Sequence, residues 1–395
     1  MSFNTELLAP GGSLEKALTA FAYGADAVYI GGQKYGLRSR ATNFTLAEID
    51  QLCHVAREKQ KKVYVVINSF FHDEDFLGLK EFSQELEKLG VSALIVSDLG
   101  AVNCLSENTN LDIHLSTQAS CVNSYAGKFW RKQGVKRLIL GRESSLKEAA
   151  EIKKQTGLEV ELFVHGSLCM AYSGHCVISN YTSGRDSNRG GCAHSCRYEY
   201  DIEGGGEKIK KTFLSSKDLS GIHLIPQFHQ YGIDSMKVEG RMKSTHYVGT
   251  ISKAYSEGIK LYREHPQEFT SKLPELIAEL EKLANRNYTE GNLLTKADLD
   301  SVFDEREYID SAGFESVGFV KKVDDKQGMI VEVRKKFSLS DELEGLPFHG
   351  KPIAFNAKTL QSLSGQIIES AKPSSLVRLA SIKGLNEKNL IRRRL

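Results

Sequence analysis

Residues 63–97 read VYVVINSFFHDEDFLGLKEFSQELEKLGVSALIVS, and this stretch decides the fold. It opens on an unbroken apolar run, Val63–Ile67, with none of the polar alternation of a half-solvated strand. It closes on a second such run, Ala93–Ser97. Between them, Asp75–Leu89 carries amphipathic helical spacing and stops at Gly90. β-Branched runs without a polar face are what parallel strands covered on both sides require. The stretch is therefore one strand–helix–strand unit.

Working outward, the unit recurs. Further apolar runs are Glu6–Ala9, Ala27–Ile30, Asp112–Leu115, Arg137–Leu140, Glu159–Val164 and Ser235–Val238. Helical stretches include Ser13–Tyr23, Thr45–Gln60, Ser124–Gln133 and Ser145–Thr156. Gly24, Gly134, Gly157 and Gly232 each follow a helical stretch, where a left-handed cap wants glycine. Thr45 with Glu48 makes a capping box. Repeated to eight, the unit predicts an α/β fold, a (β/α)8 TIM-like barrel, because closure leaves no edge strand. An open doubly wound sheet is the alternative.

Two features interrupt the repeat. A Gly-, Ser- and Cys-rich insertion runs over 167–220, after the seventh strand, with a hairpin expected around Gly204-Gly205-Gly206. Loops of that length are usually functional. Two more helices, about His246–Tyr262 and Lys272–Asn285, follow the eighth strand. Composition then changes: Val317–Val323, Gly328–Val333, Pro352–Asn356 and Leu376–Leu379 read as short strands. The expected division is a catalytic barrel over 1–311 and a small antiparallel β-barrel over 312–395, an accessory suited to RNA. Residues 391–395 read as a basic tail.

The 395 residues are 41% apolar and 26% charged, which excludes disordered and collagen-like classes. Fifty-two Lys and Arg against fifty Asp and Glu give only +2, so a wholly basic nucleic-acid wrapper is excluded. No apolar run is long enough for a membrane span. The start, Met1-Ser2-Phe3, lacks a basic segment ahead of an apolar core, so a cytoplasmic location is expected.

Four of the seven cysteines concentrate in the insertion as Cys169-x(6)-Cys176-x(15)-Cys192-x(3)-Cys196. Four soft thiolates suit zinc or an iron–sulfur cluster. Zinc ribbons use two tight knuckles; only the last pair here is tight, which favours a cluster held by a long loop. That loop follows the seventh strand, on the face where such barrels place active sites.

The neighbouring strand ends supply polar groups: Arg38 and Arg40, Asn68, Asp98, His114, Ser116, Gln118 and Arg142. Glu161 and His165 lie on the seventh strand, and Lys237, Glu239, Arg241 and Lys243 surround the end of the eighth. Glu161, His165 and Glu239 are the candidate catalytic residues. Arg38, Arg142, Lys237, Arg241 and Lys243 are the candidate substrate-binding residues, because guanidinium forks match carboxylate or phosphate. Alternation predicts that Glu161 and His165 share one face of their strand.

Other signals fail. Gly345-x(4)-Gly350-Lys351 imitates a phosphate loop, but Pro352 occupies the Ser/Thr position in a β-rich context. His-Glu-x-x-His and Gly-x-Ser-x-Gly are absent, so a protease with a zinc helix or a recognisable nucleophile is not supported.

Several segments together resemble the collagenase-like peptidase family of unknown catalytic type, U32. They are Glu161-Leu-Phe-Val-His165-Gly-Ser-Leu-Cys169-Met-Ala-Tyr-Ser-Gly-His-Cys176, Glu6-Leu-Leu-Ala-Pro10-Gly-Gly12, Tyr23-Gly-Ala-Asp-Ala-Val-Tyr29, Ser216-Lys-Asp-Leu219 and Lys237-Val-Glu-Gly-Arg241-Met-Lys243. The resemblance extends through Val331-Glu-Val-Arg-Lys-Lys-Phe-Ser338 to nearly the whole chain.

In its tRNA branch the resemblance implies prephenate-dependent, oxygen-independent hydroxylation of the wobble uridine. It implies Cys169, Cys176, Cys192 and Cys196 as ligands of a 4Fe–4S cluster. Collagenase-like peptidase activity and rRNA cytidine hydroxylation are its alternatives. The implied partners are tRNA, prephenate as hydroxyl donor, the iron–sulfur assembly machinery and a paralogous family member. Two donor carboxylates suit the Arg- and Lys-rich mouth. Arg185, Arg189, Lys208, Lys210, Lys211 and the Arg392–Arg394 tail are candidate phosphate contacts.

Overall fold

The computed structural model describes residues 5–36, 43–283, 285–303, 313–324 and 328–395. Seven strands come first: β1 (Glu6–Gly11), β2 (Ala27–Gly31), β3 (Lys62–Ile67), β4 (Ala93–Val96), β5 (Asp112–Leu115), β6 (Val135–Ile139) and β7 (Glu159–Ser167). Within the insertion follow β8 (Tyr200–Gly204), β9 (Glu207–Lys211) and β10 (Asp218–Ser220); β11 (Ser235–Val238) is the eighth barrel strand. β1 to β7 pair in parallel with their neighbours in order, and β11 pairs in parallel with both β1 and β7. The barrel therefore closes, as the repeat predicts, and the open sheet is set aside.

Helices α1 (Leu14–Ala22), α2 (Leu46–Glu58), α3 (Leu79–Leu89), α4 (Leu99–Asn108), α5 (Ser124–Lys132) and α6 (Leu146–Thr156) alternate with the first seven strands. Thr45 and Glu48 form the expected reciprocal cap on α2. Gly24, Gly90, Gly134, Gly157 and Gly232 all adopt positive φ after helices. Asp98 is spent as the N-cap of α4, accepting from the Ala101 N–H at 2.9 Å.

The barrel interior is not purely apolar. Arg137 donates to Glu6 at 2.6 Å and to Glu161 at 3.1 Å, and Lys237 reaches Glu161 at 2.8 Å. Tyr64 and Ser235 add hydrogen bonds to Glu6 at 2.6 and 3.1 Å. Four charges thus alternate through the lumen, which buried ions require.

Two short strands escape the sequence reading. β10 runs antiparallel to the end of β7, with Asp218 opposite Ser167, and β12 (Tyr288–Thr289) lies parallel to β10. The pairing of β10 with β7 zips the two ends of the insertion together. Between them lie a short helix, α7 (Ile178–Ser183), and the expected hairpin of β8 with β9. A helix of six residues, α8 (Ile225–Gln230), precedes β11; α9 (Thr245–Glu264) and α10 (Phe269–Glu281) follow it.

The C-terminal strands are β13 (Phe314–Asp324), β14 (Gly328–Val333), β15 (Phe337–Ser338), β16 (Glu342–Leu346), β17 (Ile353–Asn356), β18 (Gln361–Ser362), β19 (Ser370–Ala371), β20 (Leu376–Leu379) and β21 (Leu390–Arg394). Seven of them build an antiparallel half-barrel in the order β17-β16-β21-β13-β14-β20-β18. Residue 311, the expected boundary, lies outside the described residues.

The basic tail needs correcting. It is β21, a central strand, and Arg392 is fully buried, paired with Glu279 at 2.6 Å and with Glu344. Arg393 pairs with Glu315 at 2.5 Å and Asp341 at 2.8 Å. A run of arginines is tolerated there because carboxylates from α10, β13 and β16 meet it. The half-barrel docks on the barrel through Tyr23, which donates to the Leu346 carbonyl at 2.6 Å amid Phe319, Leu346 and Leu390.

Candidate active site

Two adjoining cavities open at the C-terminal end of the barrel. The inner one is small, about 60 Å³, and is walled by Tyr29, Asn68, Gln118, Lys237, Glu239 and Arg241. The outer one, about 400 Å³, is walled by Arg142, Lys243 and all four clustered cysteines. Thr117, Gln118, Phe163 and Glu239 border both, so the two are continuous.

Lys237 reaches the inner cavity because it alternates inward with Ser235 on β11, and its ammonium lies 4.6 Å from the centre of the Tyr29 ring. Tyr29 donates to the Val238 carbonyl at 3.0 Å and to Glu239 at 3.3 Å, fixing the end of β11. Arg241 is only 5% exposed. A Cβ on Gly31 would lie 2.3 Å from its guanidinium, so the absent side chain at the end of β2 is what admits this arginine. Arg142 stacks on the Phe163 ring at 3.8 Å. Its guanidinium makes no ion pair among the described residues, unlike Arg137. Asn68 donates to Gln118 at 3.0 Å, giving the inner wall a row of amides and hydroxyls.

The four cysteines line the outer cavity together. Among the described residues, no three His, Cys, Asp or Glu side chains are close enough to share one metal ion. Cys169 is exposed and the other three are half-buried. Burial pushes the Cys196 thiol up; Arg197 opposes the rise, and the other three cysteines add to it.

Two expected catalytic side chains do not line these cavities. Glu161 is fully buried and saturated by Arg137 and Lys237. His165 breaks the expected alternation. Ser235 to Lys237 of β11 pair with Glu161 to Phe163, but Val238 pairs with His165, so β7 carries an extra residue there. Such a bulge turns the following side chain to the other face. His165 therefore sits outside the lumen, 3.2 Å from the Tyr255 hydroxyl on α9 and beside Tyr247 and Tyr288. Gly166 follows at φ 104, where a Cβ would strike the Glu239 carbonyl at 2.4 Å. Of the three, Glu239 alone lines the cavities. Arg38 and Arg40 lie outside the described residues. His114 is buried edge-on against Tyr64, and burial holds it well below the usual imidazole range.

The expected phosphate contacts are largely spent within the fold. Arg189 pairs with Asp75 at 2.6 Å, tying the insertion to the loop after β3. Lys208 pairs with Glu203 at 2.7 Å and Lys210 with Glu199 at 3.3 Å. Arg185 donates to the Cys192 carbonyl at 3.4 Å. Sequence reasoning passed over Arg197, next to Cys196, and the exposed Tyr172 and Tyr181 of the insertion.

Buried imidazoles give the fold an acid limit. Burial lowers His165 to about 4 and His246 to about 3, from 6.5. Below pH 6.5 the unfolded chain takes up these protons and the folded one does not. Stability is therefore complete above that pH and falls as pH drops toward 4, by about 1.4 kcal/mol per unit for each histidine. Urea midpoints at pH 7.5, 6 and 5 should decline in that order, and His246→Gln should flatten the decline. A midpoint unchanged from pH 7.5 to 5 contradicts the burial of these rings.

Comparison with known proteins matches residues 12–302 to "Peptidase family U32" and residues 313–392 to "Peptidase family U32 C-terminal domain". "tRNA hydroxylation protein P1" of Bacillus subtilis (strain 168) is 39% identical over 98% of this chain and 94% of its own. "tRNA hydroxylation protein P" of Escherichia coli (strain K12) is 34% identical over 93% of this chain and 92% of its own. A Porphyromonas gingivalis (strain ATCC BAA-308 / W83) protein named "Collagenase" is 32% identical over 65% of this chain and 66% of its own. Among the described residues no helix is long and apolar enough to cross a membrane.

Proposed function

The chain belongs to peptidase family U32, and from that premise we propose that it hydroxylates the wobble uridine of tRNA, with prephenate as hydroxyl donor and an iron–sulfur cluster on Cys169, Cys176, Cys192 and Cys196. The observation that carries this reading is the shared cavity: four thiols line one space at the C-terminal end of the barrel with the Arg142 guanidinium, which makes no ion pair among the described residues. Four thiols around one cavity suit a cluster, and the wide Cys169-x(6)-Cys176-x(15)-Cys192 spacing favours it over a zinc knuckle. When bound, such a cluster supplies electron-transfer or Lewis-acid chemistry at the cavity wall.

The chain's own groups then divide the work. Arg142, Arg241, Lys237 and Lys243 hold the donor's carboxylates. Glu239, at the junction of the cavities, holds or moves a proton. A wobble base lies in a single-stranded loop and can be splayed into the outer cavity, while Tyr172 and Tyr181, 58% and 88% exposed, offer faces to its neighbours. The relatives named for tRNA hydroxylation support tRNA as the substrate class. A peptidase would need an activated nucleophile. Here His165 faces away from the cavities.

The donor site is testable in one substitution. Arg142→Lys keeps the charge and loses the fork, so prephenate affinity should fall by about 1–3 kcal/mol with the melting temperature unchanged. Isothermal titration against the wild type measures this; equal affinity removes Arg142 from the site. The function itself is tested by nucleoside mass spectrometry of tRNA from cells with and without the gene. Loss of 5-hydroxyuridine and its derivatives is expected; an unaltered nucleoside profile overturns the reading.

A further inference from the structure

Arg286 is 2% exposed, yet its Nε and one terminal amino group, Nη1, find no hydrogen-bond partner among the described residues. Buried guanidinium donors are nearly always satisfied, so an acceptor belongs there. The remaining amino group donates to Asp218, whose second oxygen accepts from the Arg286 backbone N–H at 3.2 Å. Asp218 lies on β10 opposite Ser167, two residues before Cys169. Arg197 follows Cys196 directly and lines the same cavity as the four thiols. One arginine thus lines the thiol cavity, and a second lies buried against Asp218, beside the strand end that leads into Cys169.

We infer that Arg197 and Arg286 form a cationic bed for the cysteine loop, holding the negative charge of a thiolate-ligated cluster and raising its reduction potential. The inference rests on the cluster reading above. A cluster on four thiolates is anionic, and its potential follows net charge and the hydrogen bonds its sulfurs receive. Arg197 and Arg286 are positioning residues in this scheme; neither is asked to touch the donor or the base.

The sign of the effect separates charge from scaffolding. Arg286→Gln and Asp218→Asn break the same buried pair, so both should lower the melting temperature. Their effects on the potential should be opposite: removing Arg286 lowers it, neutralising Asp218 raises it. Arg197→Gln, outside that pair, should also lower it. The experiment is a redox titration of the anaerobically reconstituted full chain, read by visible absorption and electron paramagnetic resonance, with iron and sulfide per chain assayed in parallel. A tenfold change in the reduced-to-oxidised ratio at fixed potential, about 59 mV, is expected in each direction. Identical potentials in all three variants, with iron retained, overturn the inference. Loss of iron from both pair variants with an unshifted Arg197→Gln potential also overturns it, in favour of a scaffold. Wild-type protein that takes up zinc and no iron removes the cluster reading itself.

Discussion

Replacing Cys169 or Cys192 by serine should abolish iron incorporation, bleaching the visible thiolate-to-iron absorption of anaerobically reconstituted protein while the barrel stays folded. Serine is a hard, weakly acidic donor and does not replace a thiolate. Local order in the insertion should go with the metal, because its core is thin: α7 has six residues, and Met170, Tyr172, Val177 and Tyr181 are exposed. The barrel has its own continuous core from Leu7 to Val238 and does not depend on the loop. Zipping of the insertion's ends by β10 against β7 should survive as well. Proteolysis within 169–196 with an intact barrel fragment is the expected pattern. Full iron retention in both variants contradicts the ligand assignment, and global unfolding at low temperature contradicts the separation of loop from barrel.

The largest expected stability effect lies in the barrel lumen. Arg137→Met leaves Glu6 without its 2.6 Å partner and Glu161 with Lys237 alone. Breaking a buried ion network by removing one member costs about 3–5 kcal/mol. Arg137 keeps the Glu6 carboxyl below its usual range against the upward push of burial. In the variant that carboxyl should therefore titrate upward, and acid sensitivity should begin at higher pH. Lys88→Met is the control: its pair with Glu85 is solvent-exposed, and such pairs contribute at most about 1 kcal/mol. Urea denaturation of both variants decides it; equal midpoints mean the lumen network is not a determinant of stability.

That network also marks the limit of what could be read from sequence. The barrel strands were legible because parallel strands buried on both faces are apolar throughout, as Val63–Ile67 and Ala93–Val96 are. The cysteine loop was legible because its spacing is local. Glu161 was read as catalytic because a carboxylate on the strand that leads into the cysteine loop looks available. Its partners Arg137 and Lys237 lie 24 and 76 residues away, and only closure of the barrel joins them. His165 was misplaced by a single extra residue in β7, which no pattern of period two reveals. Arg392 and Arg393 read as a solvated tail because their carboxylates come from distant elements: Glu279 on α10, Glu315 on β13, Glu344 on β16 and Asp341 beside it. β10 and β12, at three and two residues, are too short to carry periodicity of their own.

In the proposed reaction one cavity brings a thiolate-held cluster, a dianionic donor and a splayed uridine together. The most direct measurement is an anaerobic reaction of the reconstituted full chain with an unmodified tRNA transcript and prephenate, followed by digestion and nucleoside mass spectrometry. 5-Hydroxyuridine should form at the wobble position with prephenate present, with none formed without it and none by Cys169→Ser protein given the same tRNA. Formation of 5-hydroxyuridine by the Cys169→Ser protein, or its absence from the iron-loaded wild type with prephenate supplied, contradicts the proposal.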